Sequence, residues 1–228
     1  MNPLEEPKWN FWQVLYLILI IYLVEFFLGW LKPPENLSYQ QGYINYLVVG
    51  FGHGLIFFIA LFLFIKIKKI TFADVGLINF GLKSLLAGIA GGIVLFFLIG
   101  FFGNFLTDYL GVPQPQSFAL VVQGADSIAK LIPLLLLGSI VVPLQEEILF
   151  RGLVYPPLRQ TYGRGVGILL TALFFGLMHF DFIRFLVLVV GGLLLTLLYE
   201  KTRSLWSAII THGVWNILMT VLMWLQKG

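Results

Sequence analysis

The chain of 228 residues contains no cysteine and little charge. Without cysteine, it forms no disulfide and offers neither a thiolate metal ligand nor a cysteine nucleophile. Only 11% of its residues are charged, whereas soluble domains carry about 25%. The net charge is +3, and the sequence has no basic tract of the kind that binds nucleic acid. These features exclude a soluble domain and give no indication of a nucleic-acid partner.

Apolar residues make up most of the chain: 59% are hydrophobic and 16% aromatic, and the mean hydropathy is +0.94. Only helices or closed barrels satisfy the backbone polar groups inside a bilayer. The long apolar runs do not alternate with polar residues, as barrel strands would. The sequence predicts an all-α protein, a polytopic transmembrane bundle of about seven helices that forms one domain over residues 1–228.

Seven apolar segments are candidate spans, although two of them are shorter than the roughly 20 residues that a span needs. Proline and glycine predict a break at Gly111–Gln116, before the fourth segment, and another at Tyr155–Leu158, after it. The segments are Phe11–Leu31, Tyr43–Ile65, Leu82–Leu106, Ile128–Phe150, Gly165–His179, Phe185–Tyr199 and Leu205–Leu225.

Basic residues set the expected orientation in the membrane. They are more frequent in the loops that share a side with the N-terminus, such as Lys66–Lys69 and Arg159–Arg164. We therefore expect an integral membrane protein with a cytoplasmic N-terminus and a retained first helix. The short loops favour a prokaryotic cell membrane. This orientation places the Glu146 end of the fourth segment toward the cytoplasm.

Two adjacent carboxylates, Glu146 and Glu147, lie inside this apolar sequence, and Arg151 follows four residues after Glu147. One charged side chain at the centre of a span costs about 2.5–3.5 kcal/mol, so ionisable groups there are candidates for a functional site. Glu147 and Arg151 are four residues apart and share a helix face. Glu146 is rotated by about 100° from Glu147 and is free to point elsewhere.

Two later segments carry further polar residues at helical spacing. Phe175 and His179 are four residues apart, and so are His212 and Asn216. A carboxylate and an imidazole together can hold a water and remove its proton. A second imidazole and an amide can donate to the oxyanion that forms. The Glu147–Arg151 pair alone is more often a structural ion pair, but buried polar groups on three separate helices favour a shared site.

Two ionisable residues stand apart from these sets, in the first two segments. A single histidine in a membrane helix is more often packed and hydrogen-bonded than catalytic, and we interpret His53 in this way. Glu25 lies near the end of the first segment, where a carboxylate is expected to reach the interface or to be paired.

The three polar sets occur in the order Glu-Glu-x-x-x-Arg, Phe-x-x-x-His and His-x-x-x-Asn. This order resembles the CPBP family of CAAX proteases and bacteriocin-processing enzymes, which includes the CAAX prenyl endopeptidase. The likeness covers Val142–Met219 and implies a catalytic core at about 128–225. It also implies that the first glutamate and the first histidine activate water, that the second histidine and the asparagine form an oxyanion hole, and that the other residues support the site. The implied catalytic residues are Glu146, His179, His212 and Asn216, with Glu147, Arg151 and Phe175 in support.

The resemblance implies an intramembrane endopeptidase that cuts a membrane-embedded or lipid-tethered peptide and needs no cofactor. A non-catalytic membrane binding partner or bacteriocin-immunity protein remains an alternative, and a transporter is a weaker one. Glu146, His179 and His212 also offer the ligand types of a zinc metalloprotease. We expect a metal-free site. Arg151 is predicted to pair with Glu147, and if Glu146, His179 and His212 all bound zinc, no residue would remain as the general base for the metal-bound water.

One difficulty concerns the depth of the site in the membrane. With the predicted bounds, Glu146 and His179 lie at opposite ends of their segments, roughly 15–20 Å apart in depth. Either the fourth helix continues past Arg151 or the fifth helix tilts.

Overall fold

The structure, a computed structural model, describes residues 4, 6–29, 39–78, 80–111 and 115–226. Within these ranges the chain forms nine α-helices and no strand. Two π-helical turns, Leu137–Val141 and Ile148–Val154, join the helices in the middle of the chain. The helices are α1 Phe11–Phe27, α2 Tyr39–Lys68, α3 Leu82–Leu110, α4 Ser117–Gln123, α5 Ile128–Leu136, α6 Val142–Glu147, α7 Tyr155–Met178, α8 Phe185–Thr202 and α9 Leu205–Leu225.

Five helical runs in the described chain are long and apolar enough to cross a membrane. They are α2, α3, α8, α9 and a continuous run over residues 128–178, while α1 is a shorter apolar helix of 17 residues. The run over 128–178 turns back at Gly163, which we use to divide it into the site helix (residues 128–162) and the return helix (residues 164–178). The all-α bundle of about seven membrane helices is confirmed.

The predicted break at Tyr155–Leu158 is wrong, because the helix continues through Pro156 and Pro157. A π-helical turn precedes the two prolines, which occupy the first positions of α7, where a missing N–H costs least. The chain reverses instead at Gly163, whose φ of 79° suits glycine. The fourth helix therefore continues past Arg151, and this continuation resolves the difficulty of depth.

Other boundaries differ less from the prediction. Helix α1 ends at Phe27, and the predicted end at Leu31 lies outside the described residues. Helix α3 ends at Leu110, and the predicted break follows at Gly111, where φ is 82°. Residues 112–114 of that break lie outside the description. The short helix α4, which the sequence did not predict, follows this break.

Contacts between loops show which chain ends and turns share a face of the bundle. Lys8, before α1, pairs with Asp74 at 3.2 Å, and the Leu205 backbone N–H donates to the Gly76 carbonyl. Burial alone would raise the pKa of Asp74, but hydrogen bonds from Thr71 and Lys8 outweigh it and lower this pKa. The chain before α1, the α2–α3 connection and the α8–α9 turn therefore share one face, as the predicted topology requires. That this face is cytoplasmic stays a prediction.

Helices α3 and α9 approach each other closely at glycines of α3. The Thr211 hydroxyl donates to the Gly88 carbonyl at 3.1 Å. A Cβ placed on Gly92 would lie 2.6 Å from the Val214 Cβ and 2.9 Å from the Thr211 carbonyl oxygen. Small residues allow such approach between membrane helices. This packing fixes α9, which carries His212.

We expect Gly92→Leu to force α3 and α9 apart and to lower the stability of the folded protein by about 1–3 kcal/mol or more. The measurement is the thermal unfolding midpoint of the purified protein in detergent. The matched control is Gly100→Leu on the same helix, where a Cβ would have no neighbour within 4 Å. Equal midpoints for the two variants would contradict the packing described here.

Candidate active site

The site helix has a local irregularity at Pro143 that leaves backbone carbonyl groups free to accept hydrogen bonds from a neighbouring helix. Pro143 has no N–H, so it leaves carbonyl groups one turn earlier without their usual helical donor. The Asn216 side-chain nitrogen donates to one of them, the Gly138 carbonyl, at 2.6 Å. A Cβ on Gly213 would lie 2.6 Å from the Ser139 carbonyl oxygen, so only glycine lets α9 come this close. Helix α9 thus packs against the π-helical turn before Pro143.

The reversal at Gly163 brings the first motif and the second motif together. Glu146 lies 17 residues before Gly163 and His179 lies 16 residues after it, so the two arms are nearly equal. The Glu146 Oε1 is 3.7 Å from the His179 Nε2. The side chains are 23% and 25% exposed, respectively, so both remain accessible at this point.

The third motif reaches the same carboxylate from α9. The His212 Nε2 is 4.0 Å from the Glu146 Oε2, and the His212 side chain is only 6% exposed. The two imidazoles therefore face different oxygens of one carboxylate. Both distances exceed those of a direct hydrogen bond and leave room for a bridging group.

Backbone hydrogen bonding fixes the tautomer of His179. Its Nδ1 is 2.7 Å from the Phe175 carbonyl oxygen, which can only accept. The Nδ1 therefore carries the proton, and in the neutral ring the Nε2 is an acceptor. Two acceptors, the His179 Nε2 and the Glu146 carboxylate, then face each other. A water that donates one O–H to each would suit this arrangement.

Glu147 lies at the centre of a fully buried polar network. Its Oε1 is 2.8 Å from the Arg151 Nη1 and 2.8 Å from the His212 Nδ1. The Glu147 and Arg151 side chains are both 0% exposed. Arg151 also donates to the Thr196 hydroxyl at 3.2 Å and to the Gly192 carbonyl at 3.1 Å. One network thus ties the site helix to α8 and α9.

The Phe175 ring lies against three members of the site. Its centroid is 4.5 Å from that of His179, 6.4 Å from that of His212 and 4.7 Å from the Arg151 guanidinium carbon. The last distance is that of a cation–π contact. The ring is 4% exposed, and it separates the guanidinium from the half-open side of the cavity.

The structure brings Glu146, His179 and His212 together, with Glu147, Arg151 and Phe175 behind them. Asn216 lies one helical turn after His212 on α9. Its side chain donates to the Gly138 carbonyl and not to the Glu146 carboxylate. Its amide has a second N–H beyond the one that Gly138 accepts.

Sequence reasoning missed three of the groups that hold the site. Thr196 and the Gly192 carbonyl complete the coordination of Arg151, and the Gly138 carbonyl holds Asn216. Thr196 gives a weak signal as a hydroxyl in an apolar span. The two carbonyl groups give none, because every residue has one.

The arrangement of the histidine and carboxylate side chains can be compared with that of a zinc site. Among the described residues, no group of three or more histidine, aspartate or glutamate side chains is arranged to hold a metal ion. Glu147 and the Nδ1 of His212 are bound to each other, and the Nδ1 of His179 is bound to a carbonyl. The Nε2 atoms of His179 and His212 lie 3.7 Å and 4.0 Å from the Glu146 carboxylate.

The chain is similar to known membrane peptidases. Residues 128–218 match the model of the family described as type II CAAX prenyl endopeptidase Rce1-like. A protein of Bacillus subtilis, named "Putative membrane peptidase YdiL", is 26% identical over 208 residues, which cover 90% of this chain and 82% of the relative. No solved structure matches. With the three motifs assembled as described, residues 128–218 are similar to the CAAX protease-like membrane proteins.

Proposed function

We propose that this protein is an intramembrane endopeptidase in which Glu146 and His179 activate a water molecule. The observation that carries the proposal is the approach of the Glu146 Oε1 to the His179 Nε2, at 3.7 Å, with both side chains partly accessible. A carboxylate and a neutral imidazole Nε2 are two acceptors that together orient a water and take its proton. The family match and the peptidase relative support a protease in general.

The chemistry follows from this placement. Glu146 accepts a proton from the water as the water oxygen attacks the carbonyl carbon of the scissile peptide bond. The carbonyl oxygen becomes an oxyanion, which needs donors at about 2.7–3.1 Å. His212, through its Nε2–H, and Asn216, through its second N–H, supply them. The proton held by Glu146 passes to the leaving amine as the C–N bond breaks.

The role proposed for His212 requires a protonated ring beside the buried Glu147 carboxylate. Its Nδ1 donates to the Glu147 carboxylate, so its Nε2 can donate as well only when the ring is protonated. The site then holds two negative charges, on Glu146 and Glu147, and two positive charges, on Arg151 and His212. A balanced set of charges lowers the cost of burial. We infer that Glu147 stabilises the imidazolium rather than taking part in proton transfer.

The proposed substrate is a membrane-embedded or lipid-tethered peptide, because the site lies between helices of a bundle. We place the protein in a prokaryotic cell membrane with its N-terminus in the cytoplasm. The alternative, a non-catalytic binding partner such as a bacteriocin-immunity protein, would use the same cavity for binding alone.

The decisive test is Glu146→Gln, which keeps shape but removes the base. We expect peptide cleavage to fall by at least about a hundredfold, with folded yield unchanged because Glu146 is partly exposed. The purified protein is reconstituted in lipid vesicles with a library of apolar single-span peptides, and products are read by mass spectrometry. A Glu146→Gln variant that still cleaves like the parent would rule out this mechanism. A cellular phenotype that survives Glu146→Gln would favour the partner role.

Substituting Arg151 tests whether the Glu147–Arg151 pair supports the structure rather than the reaction. We expect Arg151→Ala to destabilise the protein by about 3–5 kcal/mol, because it leaves Glu147 as a buried charge with one partner fewer. The measurement is the thermal unfolding midpoint, compared with that of Glu146→Gln. The matched control is Arg184→Ala, whose pair with Asp181 is partly exposed and should contribute about 0–1 kcal/mol. If Arg151→Ala and Glu146→Gln share one midpoint, the division of roles between the two glutamates is wrong.

We also propose that the reaction needs no metal. Elemental analysis of the purified, active protein should find less than stoichiometric zinc, and chelators should leave the cleavage rate unchanged. Stoichiometric zinc that is lost with activity on chelation, and that restores activity when replaced, would establish the metalloprotease instead.

A further inference from the structure

A second ionisable pair lies in the bundle outside the three motifs. The His53 Nδ1 of α2 donates to the Glu25 Oε1 of α1. The Glu25 side chain is 5% exposed, whereas 43% of the His53 side chain is exposed. The expectation that Glu25 is paired and His53 hydrogen-bonded is thus confirmed. The His53 side chain is therefore bound to Glu25 on one side and still partly exposed.

Helix α2, which carries His53, contacts the site helix next to the proposed base. A Cβ on Gly54, next to His53, would lie 2.9 Å from the Val141 Cγ1 and 3.9 Å from the Gln145 Nε2. Helix α2 therefore lies directly against the site helix just before Glu146.

Gln145, the residue before the proposed base Glu146, has a side-chain amide nitrogen with no hydrogen-bond partner among the described residues. The residue is only 4% exposed. Leaving a buried donor without a partner costs about 1–3 kcal/mol. Gln145 immediately precedes Glu146 on the site helix, and its amide lies close to Gly54 of α2. Buried polar groups are usually hydrogen-bonded, so an unpaired amide beside the proposed base calls for a partner.

We propose that Gln145 and His53, with Glu25 holding His53 in place, form a subsite that binds the main chain of the substrate next to the bond that is cut. This inference rests on the proposed function. A peptide bond in a helix is shielded, so the segment must unwind before water attacks it. Unwinding frees N–H and C=O groups that lipid cannot satisfy. The Gln145 amide can both donate and accept, and the His53 Nε2 offers a further polar partner.

The test uses the library peptide that the parent protein cleaves fastest. We expect Gln145→Leu and His53→Phe each to raise KM about tenfold, the effect of one lost hydrogen bond, and to leave kcat nearly unchanged. Glu25 is a positioning residue: Glu25→Gln keeps an acceptor for His53 and should behave like the parent, whereas Glu25→Leu should behave like His53→Phe. The control is Tyr16→Phe on α1, whose side chain is 65% exposed and whose KM should not change.

Binding is also measured without chemistry, by fluorescence of the same labelled peptide on a Glu146→Gln background. We expect the same tenfold loss of affinity for the Gln145 and His53 variants. Lower thermal midpoints with unchanged KM and Kd would show that the pair is structural only and overturn the subsite. If the parent cleaves no peptide but binds one in a manner that depends on His53 and Gln145, the subsite stands and the proposed protease function fails. If no peptide binds, the subsite is overturned.

Discussion

The buried Glu147 carboxylate is the constraint on which the rest of the site depends. Its Oε1 accepts from Arg151 and from His212, which come from the same helix and from α9. Arg151 in turn donates to Thr196 and Gly192 of α8. A carboxylate with no exposed surface is tolerated only when such partners are in place. The requirement to satisfy one charge thus positions three helices, and it aims the His212 Nε2 at the neighbouring carboxylate.

Two adjacent glutamates have different environments because of the helical period. Rotation by about 100° sends Glu147 into the network and Glu146 toward the cavity. One side chain is fully buried, while the other is 23% exposed. The same rotation lets one short motif provide both an anchor and a reactive group. Phe175 separates the two environments, because its ring contacts Arg151 on one side and His179 on the other.

The spans and the site motifs could be predicted because charged residues in apolar sequence are costly and therefore conspicuous. Glu146, Glu147, Arg151, His179 and His212 were all identified on that basis and lie together. The path of the helix through Pro156 and Pro157 could not be predicted, since π-helical turns have no clear sequence signature. The backbone acceptors at Gly138 and Gly192 were equally invisible, because their role depends on which helix lies beside them.

The reversal at Gly163 makes the length of the chain between Glu146 and His179 a fixed quantity. Each added or removed residue in one arm would shift its end by about 1.5 Å and rotate it by about 100°. A change in one arm alone would therefore turn Glu146 or His179 away from the cavity, even though Gly163 itself lies far along the chain from both. A change of length in the connection to α8 or before the site helix would leave this register unchanged. The matching lengths of the two arms are thus a structural requirement of the site.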